Sequence, residues 1–351
     1  MILGANSKSP ITGLLFWRRA FTLAIGLFAL SACGPEEATS RAYTGSAQGT
    51  TYRISVVAEE QNEPELSLLV EEIFAAIDSS MSTYIPTSLI SRINSGDTAA
   101  VLDPHFIRVF DAAWELSAQC EGLFDCTVGA LVNAYGFGPR GRILEVDSAS
   151  LKRILARTGY NLVRRVDEKL IMDRDSISLD FNALAQGYTV DVIADSLMAR
   201  GFEHFLVEVG GELRAHGNNS RGEPWKIGID RPNETINDQD RFVALAQLEN
   251  CAMATSGNYR KFWENPDTGE KYVHSINPKT GKAESSNLLS CTIVAPNAMR
   301  ADGCATACMI MGYKRARQWI ALQPDLEAML VYADDRGDVK IYQTAKFPSL
   351  N

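Results

Sequence analysis

From His204 to the C-terminus the sequence is a succession of short strand patterns separated by turn residues and interrupted by helical patterns only between Ala298 and Leu322, and nothing else in it restricts the fold as strongly. The segments His204–Val209, Glu212–Ala215, Trp225–Ile229, Phe242–Leu248, Ala252–Thr255, Tyr272–Ile276, Leu289–Val294, Ala328–Tyr332 and Val339–Tyr342 all read as strands. Tyr52–Ala58, Leu170–Asp173 and Ser176–Leu179 read the same way upstream. Helical periodicity fits Glu65–Met81, Pro104–Cys120, Ser148–Ala156, Tyr188–Arg200, Ala298–Met311 and Lys314–Leu322. Strands in consecutive runs favour antiparallel sheet, so the predicted class is α+β, one large domain with helices packed on the sheet, not a doubly wound α/β fold. No Gly-x-Gly-x-x-Gly follows the first strand, which argues against Rossmann-type dinucleotide binding. The polar run Arg231–Arg241 reads as an exposed loop, and no linker or internal repeat divides the chain.

The 351 residues are 46% hydrophobic, enough to bury a large core, and the net charge is −9. With no basic run in the body, nucleic acid is not expected as a partner. The N-terminus reads as a targeting segment. Lys8, Arg18 and Arg19 precede the apolar run Ala20–Ala32, which is too short to span a membrane and has the shape of a secretory h-region. Leu30-Ser-Ala-Cys33 resembles a bacterial lipobox, and Gly34-Pro-Glu-Glu-Ala-Thr-Ser is a polar tether. The expected organisation is a signal peptide over 1–32, a tether over 33–44 from a lipidated Cys33, and a single folded domain over 45–351. The expected location is the periplasmic face of a bacterial membrane, with the inner membrane favoured. Arg18-Arg-Ala-Phe21 leaves both Sec and twin-arginine export open. The other six of the seven cysteines show no Cys-x-x-Cys spacing that suggests zinc. In an oxidising compartment they could pair, but Cys304 and Cys308 sit on an apolar helical stretch and read as buried thiols.

Met299-Arg-Ala-Asp-Gly-Cys-Ala-Thr-Ala carries the chemistry that stands out. Residues four apart on a helix share a face, so the Asp302 carboxylate and the Thr306 hydroxyl converge. A carboxylate with neutral oxygens suits a hard cation such as Mg²⁺. A plainer alternative has Asp302 capping a helix start while Thr306 packs. A second acidic segment, Leu179-Asp-Phe-Asn-Ala-Leu-Ala-Gln-Gly-Tyr-Thr-Val-Asp191, is a strand end that turns into a helix.

Together these segments resemble the ApbE-type FAD:protein FMN transferases, formerly called thiamine-biosynthesis lipoproteins. Further motifs follow in the family's order: Gln48-Gly-Thr-Thr-Tyr52, Ser82-Thr-Tyr-Ile-Pro and onward to Asn94, Gly122-Leu-Phe-Asp-Cys-Thr-Val-Gly129, Tyr135-Gly-Phe-Gly-Pro139, Val209-Gly-Gly-Glu212, Ala254-Thr-Ser-Gly-Asn-Tyr259 and His274-Ser-Ile-Asn-Pro-Lys-Thr-Gly281. The resemblance runs from Gly45 to Tyr342.

The resemblance implies a Mg²⁺ site made by Asp302, Thr306 and the backbone carbonyl of Ala183. Some members carry a further aspartate at the position of Ala305, which this chain lacks. It implies FAD contacts from Gln48, Tyr84, Leu123, Phe124, Asp125, Asp180, Gln186 and Ile276. Gln48 stands where methionine is usual, and Gln186 where lysine or glutamate is common. Asp180 could also cap the following helix. Gly210 and Gly211 read equally as a turn exposing amides to a ligand or as a simple strand bend. His274, the only histidine inside a motif, suits general acid–base work, or it orients a neighbour or holds a phosphate. The implied reaction moves FMN from FAD to a threonine or serine hydroxyl of an acceptor protein and releases AMP, with His274 or Asp180 as the base. Acceptors in this system carry Asp-x-x-(Ser/Ala)-Gly-Ala-(Thr/Ser) and are typically flavin subunits of membrane electron-transfer complexes. Asp125-Cys-Thr-Val-Gly-Ala-Leu131 echoes that motif, but Leu131 has no hydroxyl, so self-flavinylation is not supported. Two other readings stay open: a metal-dependent FAD pyrophosphatase giving FMN and AMP, and a non-catalytic flavin-binding lipoprotein.

Overall fold

The computed structural model describes residues 40–57, 63–139, 147–232, 241–257, 262–264, 271–273, 275–282 and 286–350. The elements run β1 (Ser40–Ala47), β2 (Thr50–Val57), α1 (Glu63–Met81), α2 (Leu89–Asn94), α3 (Pro104–Gln119), α4 (Gly129–Ala134), α5 (Ser148–Leu155), β3 (Val163–Val166), β4 (Lys169–Met172) and α6 (Asn182–Ala199). They continue β5 (Phe205–Val209), β6 (Glu212–His216), β7 (Trp225–Asp230), β8 (Phe242–Leu248), β9 (Cys251–Gly257), β10 (Phe262–Glu264), β11 (Lys271–Val273), β12 (Leu288–Ala295), α7 (Ala298–Ile320), β13 (Glu327–Ala333), β14 (Val339–Gln343) and β15 (Ser349–Leu350).

An eight-stranded sheet in the order β1-β2-β5-β6-β9-β12-β13-β14 is antiparallel at every step. Its strands alternate sides as the two-residue period requires. On β13, Ala328 and Leu330 enter the main core beneath α1, α3, α6 and α7, while Met329 and Val331 enter a second core. That second core is closed by β7, β8 and Phe347, and β7 and β8 form a three-stranded sheet with β15. Three layers result: helices, large sheet, small sheet. This is the expected α+β class.

The helices end where their sequences direct. Asp103 caps α3, its carboxylate accepting from the Phe106 N–H at 2.8 Å with Pro104 at the first helical position. The long α7 breaks at Gly312, whose backbone leaves helical geometry, so the two expected helices appear as two segments of one element. No helix among the described residues is long and apolar enough to cross a membrane.

Four expectations are corrected. β1 begins at Ser40, so residues 40–44, expected in the tether, lie in a strand. α6 begins at Asn182, earlier than Tyr188. Ser176–Leu179 is not a strand; Ser178 makes a single bridge to Val128, and the backbone of Leu179 is satisfied by a side chain. The strand expected over Tyr272–Ile276 ends at Val273. Cys120, Cys126, Cys251, Cys291, Cys304 and Cys308 are all free thiols, and only Cys251 is not fully buried. Cys33 and the expected signal peptide and tether up to residue 39 lie outside the described residues.

Candidate active site

The site assembles where α6 crosses the first turns of α7. Gly187 makes the crossing possible. A Cβ there would lie 2.5 Å from the Ala298 carbonyl oxygen and 2.9 Å from the Met299 Cα. The bare backbone lets Asp302, on the second turn of α7, reach α6: its Oδ2 accepts from the Gly187 N–H at 3.3 Å. In helical geometry that N–H also points at the carbonyl of residue 183. Thr306 stands one turn further along α7, its Oγ1 3.3 Å from the Ser256 hydroxyl of β9. Asp302, Thr306 and the start of α6 therefore meet, and Ser256 joins them. Among the described residues no three His, Cys, Asp or Glu side chains gather to hold an ion. A cation at this crossing would have one carboxylate and neutral oxygens, a donor set that suits a hard ion such as Mg²⁺ and disfavours zinc.

On the N-terminal side of α6, Asp180 accepts from the Asn182 N–H at 2.8 Å, and burial raises its pKa above the usual carboxylate value, the Asn182 bond acting the other way. Asp180 thus steadies the start of α6, although the cap position itself belongs to Phe181, which has no side-chain cap bond. Asn94 holds this segment in place. Its amide donates to the Leu179 carbonyl at 2.8 Å and accepts from the Leu179 N–H at 2.7 Å, imitating a strand partner.

The backbone N–H of Asp180 donates to the Cys126 carbonyl at 2.8 Å, which ties in the loop from Gly122. Within it, Leu123 and Phe124 are buried in the main core, so any ligand contact there falls to their backbone. Both oxygens of Asp125 are engaged: Oδ1 accepts from the N–H and hydroxyl of Thr127 at 2.8 and 2.6 Å, and Oδ2 accepts from the Tyr160 N–H at 2.7 Å. Burial pushes the Asp125 pKa up, and these bonds act in the opposite direction. Ile276 is buried against Leu131 and Tyr135 in a separate cluster around α4. The Gly129 N–H joins that helix to Ser178 at 3.0 Å.

Gln48 lies in the two-residue turn joining β1 to β2, with φ of 51° there and 73° at Gly49, a type I′ pattern. Its side chain bonds Thr189 of α6 at 3.0 Å and reaches Asp78 of α1. Gln186 is close by. A Cβ on Gly210, which has φ of 68°, would meet the Gln186 Nε2 at 3.2 Å, the Thr50 Cγ2 at 3.1 Å and the Glu212 Oε2 at 3.0 Å. Glycine suits this positive φ, and the side-chain tips of Thr50, Gln186 and Glu212 converge on it. A groove of about 500 Å³ opens beside this turn, lined by Ser46, Ala47, Gly49, Thr50 and Thr51.

Tyr84 is 62% exposed and reaches across the rim, its hydroxyl donating to the Phe137 carbonyl at 3.3 Å. An exposed ring pinned by its polar tip offers a face for a planar ligand. His274 lies outside the described residues. The other histidines do structural work: His105 bonds Tyr188, His204 accepts from the Asn218 N–H, and His216 stacks on Phe205.

Asn94, Asp191 and Ser256 were not singled out from the sequence. Each stood inside or at the end of a motif already marked, so the signal was their position there, while their roles needed the fold.

The ApbE family model matches residues 48–330. An FAD:protein FMN transferase of Vibrio cholerae is 32% identical over 310 residues, 87% of this chain and 90% of that one. An FAD:protein FMN transferase of Haemophilus influenzae is 31% identical over 95% of both chains. Among solved structures, the flavin transferase ApbE from Vibrio cholerae superposes with a TM-score of 0.81 at 31% identity, covering 89% of this chain and all of that one. The flavinyl transferase ApbE of Pseudomonas stutzeri in its apo form gives a TM-score of 0.78 at 29% identity, covering 88% of this chain and 95% of that one.

Proposed function

The chain belongs to the ApbE family, and from that membership and the geometry of the crossing helices we propose that it is an FAD:protein FMN transferase. The observation that carries the reading is the Asp302 carboxylate, brought through Gly187 to the first turns of α6 with Thr306 one turn away. Mg²⁺ held by Asp302, Thr306 and the Ala183 carbonyl would neutralise charge on the pyrophosphate oxygens.

The acceptor is a threonine or serine in Asp-x-x-(Ser/Ala)-Gly-Ala-(Thr/Ser). Its hydroxyl oxygen bonds to the FMN phosphorus, the phosphorus–oxygen bond to the AMP half breaks, and AMP leaves with the bridging oxygen. The hydroxyl proton passes to a base, Asp180 or His274. Chemistry of this kind is mostly positioning and charge stabilisation, which suits a site built from helix crossings and backbone turns. Mixing the protein with FAD, Mg²⁺ and an acceptor domain tests the reading. Covalent FMN on the acceptor with stoichiometric AMP is expected. Free FMN and AMP would make the protein a pyrophosphatase, and unchanged FAD would make it a binder.

Tyr84 supplies ring packing to the flavin half. Such packing contributes about 1 kcal/mol beyond area burial, so Tyr84→Ala should weaken FAD binding at least about fivefold. FAD should also bind more tightly than FMN, which lacks the pyrophosphate. Calorimetric titration of both ligands checks this. Unchanged FAD binding in Tyr84→Ala would remove the ring from the site.

The proposed location is the periplasmic face of a membrane, with lipid on Cys33 and the inner membrane favoured. The support is the lipobox-like Leu30-Ser-Ala-Cys33 and the polar segment after it. The intact mass of the membrane-bound protein tests the anchor; an N-terminus without lipid would end that reading.

A further inference from the structure

The two halves of the proposed metal site lie on different helices far apart in sequence, so something must fix one helix against the other. Asp191 on α6 is one turn beyond Gly187 and shares its face. Its Oδ1 accepts from the Ala298 N–H and its Oδ2 from the Met299 N–H, both at 2.9 Å. These are the first two residues of α7. Asn297 satisfies a further N–H, that of Arg300, at 2.9 Å. The start of α7 is therefore held from outside by a carboxylate of α6, a placement that also complements the positive end of the helix. Arg214 of β6 orients that carboxylate, its Nη1 lying 3.0 Å from Asp191 and 2.9 Å from Asp195. Burial raises the Asp191 pKa, while the two amides and Arg214 favour its charged form.

We propose that Asp191 is the positioning residue of the site. Its carboxylate sets the register of α7 against α6, and so delivers Asp302 and Thr306 to the Ala183 carbonyl. Asp302 lies one turn after the two amides that Asp191 holds, and a shift at Ala298 is carried along a rigid helix to both side chains. The inference rests on the Mg²⁺ reading above, and its test separates the two.

The experiment compares wild type, Asp191→Ala and Asp191→Asn. Mg²⁺ affinity is read by calorimetry with and without FAD, FAD affinity is read without metal, and amide hydrogen exchange is followed across 298–306. Asp191→Ala is expected to lose about tenfold or more in Mg²⁺ affinity, the usual scale for groups that orient metal ligands. FAD affinity without metal should stay within about twofold of wild type, against that metal-site scale. Exchange should quicken at Ala298 and Met299 and onward to Thr306. Asp191→Asn keeps one acceptor oxygen and should lose less. Wild-type Mg²⁺ affinity in a folded Asp191→Ala protein overturns the proposal. So does a parallel loss of Mg²⁺ and FAD affinity with lowered melting in both variants, which is general destabilisation. If Asp191→Ala does not fold, Asp191→Asn decides: wild-type Mg²⁺ affinity overturns the proposal, and a selective loss supports it. A wild-type protein that binds no Mg²⁺ in either state instead sinks the metal reading itself.

Discussion

Asp302→Ala is expected to cut FMN transfer at saturating FAD by at least about a hundredfold, the scale of losing one preorganised charge at the reacting centre. The carboxylate is 6% exposed and sits against the Gly187 N–H, which keeps its place in the α6 ladder when the side chain is removed. That N–H keeps its helical acceptor, so the fold should survive. The loss should fall on turnover more than on FAD affinity, because charge neutralisation is greatest in the transition state. Asp302→Asn, of equal size but neutral, should be nearly as inactive if charge is what matters. Acceptor flavinylation followed by mass spectrometry across a Mg²⁺ titration, with circular-dichroism melting as the control, checks both variants. Near-wild-type transfer by folded Asp302→Ala would remove the carboxylate from the chemistry.

Gly187→Ala should be the more damaging change to the scaffold. The new methyl would meet backbone atoms, the carbonyl carbon and oxygen of Ala298 at 2.7 and 2.5 Å, and backbone cannot rotate aside. Alanine favours a helix over glycine by about 1 kcal/mol, so the clash must outweigh that gain. Overpacking usually costs about 1–3 kcal/mol, and carbon atoms at optimal contact sit about 3.5–4.0 Å apart, so α6 and α7 must part by several tenths of an ångström or more. The expected outcome is a lower denaturant midpoint together with weaker Mg²⁺ dependence, since the Asp302 contact crosses the same gap. A Gly187→Ala protein as stable and as active as wild type would show that the crossing has slack.

The same glycine explains where the sequence misled. The expected start of α6 at Tyr188 falls just after Gly187, because glycine reads as a helix breaker when its neighbours on other elements are unknown. It sits mid-helix because α7 must come close. Ser176–Leu179 has strand composition, yet the hydrogen bonds that would make it a strand come from the amide of Asn94, a side chain far away in sequence. β1 escaped notice because Ser40–Ala47 is a polar edge strand that buries little, and α2 and α4 are too short to show a period. The long helices and inner strands were legible because each buries a continuous stripe or face. That Asp302 and Thr306 share a face of α7 was legible by helical spacing. That Asp125 would spend its carboxylate on Thr127 and Tyr160, or Gln48 its amide on Thr189, depends on partners brought by the fold.

The order of strands in the large sheet is also their order along the chain. Such a sheet can be built as the polypeptide emerges, each new strand joining a single growing edge. Three of the seven additions close loops of a few residues and three close about thirty, but joining β5 to β2 must close one of about 150 residues, which costs entropy slowly with length yet delays nucleation. The helix bearing Asp302 lies between the sixth and seventh of the eight strands. A nascent or truncated chain ending before Ala298 would hold six strands and α6 but no complete crossing. Maturation of the proposed site is thus tied to near-completion of the chain.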